Sequence, residues 1–471
     1  MPSDLGFYPF ACVLFILLCL LLCRLWRCGN TTPSARKPPR PTREPKPFAG
    51  LTRKPDCEAC AQQIRSQPQV PSAPPPRMIL TRGRRRQVDT TSHFCPHAAC
   101  SYYGRVGFGN LRANGHPTGR RWRQLVCLGC HGYFLETHGT PFHGKQVDPD
   151  KLVWALAALA EGLGIRAVAR VFEVDPNTVL TWLGEAAEHL EAFSRYGLQD
   201  VHVEQVQMAE LFALLSAVKD GDITEAKAIT CLSRSPHWVW VAMDPVSKLI
   251  LTVDVGERTR AMAQRLVHQL TQVLAPDCAP LFLTDGVREY LTALVTHDGQ
   301  WMPPERRQAT GPKPKPRWRP QPKLLYAQVV KSYRRRRLVG VKHRVVFGVR
   351  ETIESRLAKR GWKINTAFIE RLNLDFRQHV AAIGRRVNTR CTHEAGLRQQ
   401  LALFHVYHNF VWPHASLRLP LLLPEPIHGT GAVKQWQLRT PALAAGLTDH
   451  VWSLREVLLF RVPLWPQPQM P

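Results

Sequence analysis

Acidic side chains are scarce in this chain: 36 Asp and Glu stand against 63 Lys and Arg over 471 residues, a formal charge of +27. A positive field of that size attracts polyanions, nucleic acid first and an anionic membrane surface second. Charge alone names no activity. Basic residues are in turn missing from the very start, where Asp4 is the only charge before the apolar run Tyr8 to Trp26. That absence excludes the basic n-region of a secretory signal. The run is slightly short of the about 20 residues that a full span needs. Arg24, Arg27, Arg36 and Lys37 at its far end would stay cytoplasmic, which gives a reversed membrane anchor. Two readings stay open, a membrane anchor or an upstream extension of a soluble protein; both leave the rest of the chain facing the cytoplasm.

Apolar residues are what the next stretch lacks. Residues 29–90 (KPPRPTREPKP, PSAPPPR, RGRRRQ) cannot bury a core and read as a disordered basic linker. A second breaker-rich, basic stretch runs from Pro303 to Lys323, and after Pro420 the chain is again Pro-rich with no clear pattern. A length of 471 residues predicts two or three domains between these breaks.

Thirteen cysteines are unevenly spread. FCPHAAC and, later, CLGC give two tight pairs, Cys95 with Cys100 and Cys127 with Cys130. Such spacing in a basic chain reads as metal ligation in a reducing compartment rather than as a secreted disulfide framework. A tetrahedral Zn site needs four thiolates presented by two turns, because one short turn supplies only two. Gly129 suits the second turn, and Trp122, Leu125, Tyr133 and Phe134 suit short carrying strands, so a zinc ribbon is expected. Cys57 and Cys60 form a weaker pair within the linker, either free or binding a second metal. His93, His97 and His131 read as surface residues rather than ligands.

From Asp148 the pattern turns helical, with Leu152, Leu156 and Leu159 on one face, ending at Gly162 and Gly164. Ala167, Val168 and Val171 predict a short helix, Val174 the turn, and Asp175-Pro176 an N-cap with Pro at the first helical position. Val179, Leu180 and Leu183 are expected to face inward. Asn177, Thr178 and Thr181 would then lie outward near the N-terminus, where the second helix of a helix-turn-helix reaches base edges. An ordinary helical hairpin is the plainer alternative. After His202 come VEQVQMAELFALL, PHWVWVAMDP, KLILTVDVG, a helix from Glu257 to Leu274, and APLFLTDG. Three strands, a helix and a fourth strand ending in an acid are the opening of a ribonuclease-H-like fold, and NTAFIERLNLDFRQH adds a later helix.

The order of CPxxxC, CxxC, helix-turn-helix, TDG and INTAFIERLN resembles the DDE transposases of insertion sequences, most nearly the insertion-sequence-one type, from about His93 to the FHVYHNFVWPHASL stretch. The resemblance implies a multidomain α+β and α/β protein. Its parts are an apolar segment 1–28, a linker 29–90, a zinc ribbon 91–146, a helix-turn-helix 147–198, a ribonuclease-H-like (integrase-type) mixed sheet with flanking helices 199–420 carrying a basic insertion at about 301–345, and a Pro-rich tail 421–471. It implies three acids that hold Mg2+ or Mn2+ for phosphodiester cleavage and strand transfer. The second acid maps to Asp285 and the third to Glu370, with Asn373 one helical turn away. It also implies DNA partners, transposon ends and target, and a homo-oligomer on DNA.

The first acid is missing. Where the resemblance calls for Asp, the strand VQMAEL has Ala209, and Glu210 beside it points to the opposite face. Asp244 and Asp254 end the next two strands and serve only with unusual local geometry. Loss of one of three carboxylates predicts absent or severely reduced nuclease activity. Two function classes remain, an impaired transposase and a non-catalytic DNA-binding protein or repressor, with Ala209 favouring the second. A membrane-tethered basic protein is a third reading that rests only on the N-terminal run. The basic stretch is expected to contact the DNA backbone through Arg306, Arg307, Lys313, Lys315, Arg317, Arg319, Arg334, Arg335, Arg336 and Arg337, interleaved with Trp301, Trp318, Tyr326 and Tyr333.

Overall fold

In the computed structural model, the described residues are 90–117, 121–213, 237–303, 315–335, 337–384, 391, 393–426 and 433–464. The apolar run Tyr8 to Trp26, the linker, Cys57 and Cys60 lie outside them. Among the described residues no helix is long and apolar enough to cross a membrane.

A small three-stranded antiparallel sheet opens the described chain: β1 (Leu111–Ala113), β2 (Gln124–Cys127) and β3 (Tyr133–Leu135), in the order β1-β2-β3. Three helices follow, α1 (Pro149–Ala160), α2 (Ile165–Val171) and α3 (Pro176–Gly197). Asp148 and Asp175 cap α1 and α3 with their side chains, each followed by Pro at the first helical position. The buried stripe of α3 is Val179, Trp182, Leu183, Ala186, Ala187 and Leu190, spaced i, i+3, i+4, i+7. Leu180 lies one step off that stripe and is 45% exposed, against its expected inward place; Trp182 fills the role instead. The short helix α2 forms where Ala167, Val168 and Val171 predicted it, with Val168 and Ala169 its buried residues and Val171 64% exposed.

The main sheet has six strands: β4 (Gln205–Phe212), β5 (Trp238–Met243), β6 (Ile250–Gly256), β7 (Leu281–Asp285), β10 (Leu325–Arg334) and β11 (Arg337–Phe347), ordered β11-β10-β7-β4-β5-β6. A separate hairpin, β8 (Gly299–Met302) with β9 (Arg317–Pro320), fills the numbers between. Strands β4, β5 and β6 form an antiparallel meander; α4 (Arg260–Val273) then returns the chain so that β7 lies parallel to β4, and β10 lies parallel to β7. This mixed sheet with flanking helices is compatible with a ribonuclease-H-like fold. Central strands covered on both faces read as near-continuous apolar runs, and all of β4 up to Ala209 is buried.

The two faces have distinct covers. Val206, Met208, Trp240 and Phe282 pack with α4 and α5 (Glu289–His297). Ala209, Leu211, Val239 and Val241 pack with α7 (Ala367–His379) and α8 (Glu394–Val406), while α6 (Arg350–Ala358) covers Leu281, Leu283, Ala327 and Val329 on that side.

Two expectations are corrected by these contacts. The basic insertion at about 301–345 contains β10, a core strand with Tyr326 and Ala327 fully buried; its apolar residues were hidden among cations and breakers. Where it is described, the chain after Pro420 has secondary structure: β12 (Leu419–Pro426), β13 (Val433–Gln437), α9 (Pro441–Ala444) and α10 (Leu454–Leu459). Leu454, Val457 and Leu458 join the core, and Phe193 of α3 meets Phe410, Trp452 and Phe460 at 5.0, 5.4 and 5.4 Å between ring centroids. Short apolar pieces separated by Pro gave no period, yet Ser453 and Glu456 form a capping box at α10 that was open to reading.

Candidate metal centre and acidic site

The first knuckle presents Cys95 and Cys100, and the second, on the turn leaving β2, presents Cys127 and Cys130. Their four sulfurs lie within 4.8 Å of one another. A Zn–S bond of about 2.3 Å places tetrahedral sulfurs about 3.8 Å apart; Cys95 and Cys130 stand at 3.6 Å and Cys100 and Cys127 at 3.8 Å. The donor set therefore fits one zinc in a closed, structural site. Amides turn toward the sulfurs, with the Tyr102 N–H donating to Cys100 at 3.4 Å and the Asn110 side chain to Cys127 at 3.3 Å. Burial pushes the Cys127 thiol up, but the Cys130 N–H and the Asn110 amide outweigh it and bring the group to about 7. Burial leaves Cys95 and Cys100 raised, so Cys127 is the thiol of these three that is held toward the thiolate a metal requires. His97 is half-buried against the cluster, its Nδ1 3.4 Å from the Cys130 sulfur, rather than out on the surface.

The ribbon is braced from the far end of the chain. Arg461 is 3% exposed, donates from Nη1 to the Phe94 carbonyl at 2.9 Å, and lies over the rings of Phe94 and Phe134 at 4.2 and 5.1 Å. Its Nε and Nη2 are buried with no protein partner. Burial draws the guanidinium down to about 10, opposed by the nearby Cys95 thiol. Leu464 packs where Gly104, at φ +67°, leaves no room for a Cβ. The Val457 carbonyl accepts from His189 of α3 at 2.9 Å, and Arg455 is paired with Asp150 of α1.

The acidic site lies on the α7 face of the sheet. Met208 pairs with Thr284 across β4 and β7, so the next step puts Ala209 beside Asp285 on the face that Gln207 and Leu283 also occupy. Gln207 fixes the start of α7 to this face, donating to the Asn365 carbonyl at 3.0 Å and accepting from the Ile369 N–H at 3.1 Å. Glu370, in the first turn of α7, accepts from the Thr366 hydroxyl at 2.7 Å and is paired with Lys331 of β10. The Asn373 side-chain oxygen is buried without a partner. Burial raises Asp285, against the pull of Arg258 and Lys331.

Glu210 takes the opposite face, as the alternation along β4 demands. Its side chain is 1% exposed and its Oε2 lies 3.2 Å from Nη2 of Arg258. Burial, then the negative charge of Asp285, pushes it up to about 7. Among the described residues the cysteine set is the one group of three or more ligand side chains close enough to share an ion. Asp285 feels the charge of both Glu210 and Glu370, but the three carboxylates do not come within 4.8 Å of one another, Ala209 offers no oxygen, and Arg258 and Lys331 supply positive charge. Among the described residues the acidic site therefore offers no set of three carboxylates close enough to share one cation.

Asp244 and Asp254 serve the fold. Asp244 accepts from the Val246 and Ser247 N–H groups at 3.1 and 2.8 Å, and Asp254 is paired with Arg265 at 2.7 Å and with Arg398. The histidines of FHVYHN are structural too. His405 and Asn409 donate to the Ile250 carbonyl at 2.9 and 2.8 Å, and His408 donates to that of Lys248 at 3.1 Å, which satisfies the edge of β6. Burial lowers His405 to about 4 and His408 to about 3, so both stay neutral.

The nucleic-acid candidates fall on exposed ground where they are described. Asn177 and Thr181 are exposed at the start of α3, and Thr178 is half-buried. Lys315 is exposed beside β9, which carries Arg317 and Arg319; its Trp318 pairs across the hairpin with Trp301 at 5.4 Å. Arg334, Arg335 and Arg337 form the exposed tip between β10 and β11. Arg306, Arg307, Lys313 and Arg336 lie outside the described residues.

No protein-family model matches the chain, and no curated protein does. Among solved structures, the "Crystal structure of the Mos1 Strand Transfer Complex" matches at 15% identity and a TM-score of 0.13. The match covers 33% of this chain and 58% of that one, less than two-thirds of its length. A score that low does not establish a shared fold; the strand order and the site geometry stand on their own.

Several residues of this site left no sequence signal. Arg258 follows β6 by two positions but reaches Glu210 of β4, Lys331 sits in a strand hidden among cations, and Arg461 comes from the Pro-rich end that has no clear sequence pattern. Gln207 was legible only as an inward polar residue in an apolar strand.

Proposed function

We propose that the chain is a DNA-binding protein built on a transposase-type frame that does not cleave DNA. The observation that carries this reading is the state of the acidic site: Ala209 follows the Met208–Thr284 pair and so lies next to Asp285, and Glu210 and Glu370 are paired with Arg258 and Lys331. Two-metal cleavage needs oxygens shared between the ions; here alanine stands at one position, and Glu210 and Glu370 are held by cations, which leaves the Asp285 carboxylate with less help in binding them. Binding is supported by the charge of +27 and by the total absence of Asp and Glu between Glu305 and Glu351.

In this reading Asn177, Thr178 and Thr181 at the α3 N-terminus meet base edges. Arg306, Arg307, Lys313, Lys315, Arg317 and Arg319 meet the phosphate backbone, and Trp301 with Trp318 stack on exposed bases. The zinc ribbon holds the entry to the helical region rather than taking part in chemistry. Supercoiled plasmid incubated with the protein in magnesium and in manganese tests the reading. The expected result is a mobility shift with no nicked product. Robust metal-dependent nicking that disappears in Asp285→Ala would instead identify a live transposase in which another carboxylate serves.

A further inference from the structure

We infer that the outer half of the β10–β11 hairpin is a ribbon that enters the major groove of duplex DNA beside the acidic site. The inference rests on the DNA-binding reading and assigns it an element and a groove. Strand β7 accompanies β10 only from Leu325 to Val329. Beyond that point β10 and β11 have only each other, paired Val330 with Lys342, Lys331 with Val341, Ser332 with Gly340 and Arg334 with Arg337. From Arg337 to Arg344 every residue of β11 is exposed, on both faces, so neither face of that strand is covered, and on β10 Ser332 and Arg334 are exposed as well.

Its composition fits one partner. Arg334, Arg335, Arg337, Lys342 and Arg344 are exposed, and no acid occurs on either strand. Between these cations Leu338, Val339 and Val341 also lie open to solvent. A ribbon that only had to stay soluble would not alternate bare aliphatics with arginines, whereas one in a groove needs cations for phosphates and apolar groups for base edges such as the thymine methyl. The B-form major groove is about 12 Å wide and admits a two-stranded β-ribbon; the A-form major groove is deep and narrow and does not. A second copy of so basic an edge would repel rather than pair. The root of the ribbon points the same way: Val329 of β10 is paired with Asp285, and Lys331 holds Glu370. DNA seated on the ribbon therefore runs past the acidic site.

The test uses the full chain and a fluorescent DNA duplex, titrated across salt concentration. In the combined variant Arg334→Gln, Arg335→Gln, Arg337→Gln, Lys342→Gln, all at exposed positions, the slope of log affinity against log salt should fall by roughly three to four, about one per lost phosphate contact. Val339→Ser with Val341→Ser should weaken binding several-fold and leave that slope alone. Methylation of guanine N7, which faces the major groove, should block binding, and duplex RNA should compete poorly. An unchanged slope in a variant that still binds DNA overturns the ribbon assignment and spares the DNA-binding reading. Failure of the unmodified chain to bind any duplex overturns both. Loss of binding to phosphatidylserine vesicles with DNA binding intact makes the ribbon a membrane contact and overturns the inference.

Discussion

Replacing Arg461 by Met should change the protein's hold on zinc far more than its metal-free stability. The guanidinium contributes one hydrogen bond to Phe94 and lies over two rings, yet it is 3% exposed with two nitrogens unpartnered. Without metal, its loss forfeits about 1.5–3 kcal/mol of charged hydrogen bonding. It also relieves the burial of an unpaired cation, and Met fills similar space, so the net should lie within about 1 kcal/mol of zero. Four thiolates around Zn2+ carry two net negative charges, and a fixed cation at their edge then stabilises the loaded state. Partners behind metal ligands typically control about 10–100-fold in affinity, which corresponds to roughly 1.4–2.8 kcal/mol. Competition with a chromophoric zinc chelator measures it. Arg461→Met should release zinc at about 10–100-fold lower chelator excess, with Arg461→Lys between the two, while urea midpoints of the stripped proteins coincide. Equal zinc affinity in a folded Arg461→Met protein, or equal destabilisation with and without zinc, would refute the charge argument and leave Arg461 as packing.

Three further outcomes follow from the geometry. Phe193→Ala, which empties the aromatic cluster under the chain's end, should cost about 3–5 kcal/mol in urea unfolding and expose residues after Thr440 to protease; a protected end would show that the cluster does not hold it. Ala209→Asp puts a carboxylate at a position 8% exposed, beside Asp285 and among Val239, Val241 and Ile369, so stability should drop by about 1–3 kcal/mol. Manganese should restore part of that loss in thermal melts if the added oxygen completes a cation site, and an unchanged melting temperature in manganese would mean that Arg258 and Lys331 still hold the acids. Glu210 is raised from 4.5 to about 7, so the folded state keeps its proton where the unfolded state has lost it. Its contribution is present below about 4.5 and is lost as pH rises to about 7, by at most roughly 3 kcal/mol. The difference between the native protein and Glu210→Gln in unfolding free energy should therefore grow across that window, and a pH-independent difference would contradict the burial argument.

Local chemistry determined what the sequence alone disclosed. Two cysteine pairs a few residues apart form their knuckles within single turns, so the clustering of Cys95, Cys100, Cys127 and Cys130 as candidate metal ligands was legible before any fold was known. The Asp175-Pro176 cap acts through its own next N–H groups, and alternation along β4 was enough to separate Ala209 from Glu210. Strand β10 and the chain after Pro420 escaped, because their burial depends on neighbours distant in sequence and not on a period of their own. The charge pairing of the acidic site belongs to the same class. Arg258 with Glu210, Lys331 with Glu370, and Arg461 with Phe94 367 positions away are contacts made when the sheet order is set and the chain's end packs on α3. A side chain's type is fixed by sequence, but the charge it faces depends on which distant residue the fold brings within a few ångströms. That Ala209 carries no carboxylate was therefore readable from sequence, whereas the cations that pair with Glu210 and Glu370 were decided only by tertiary structure.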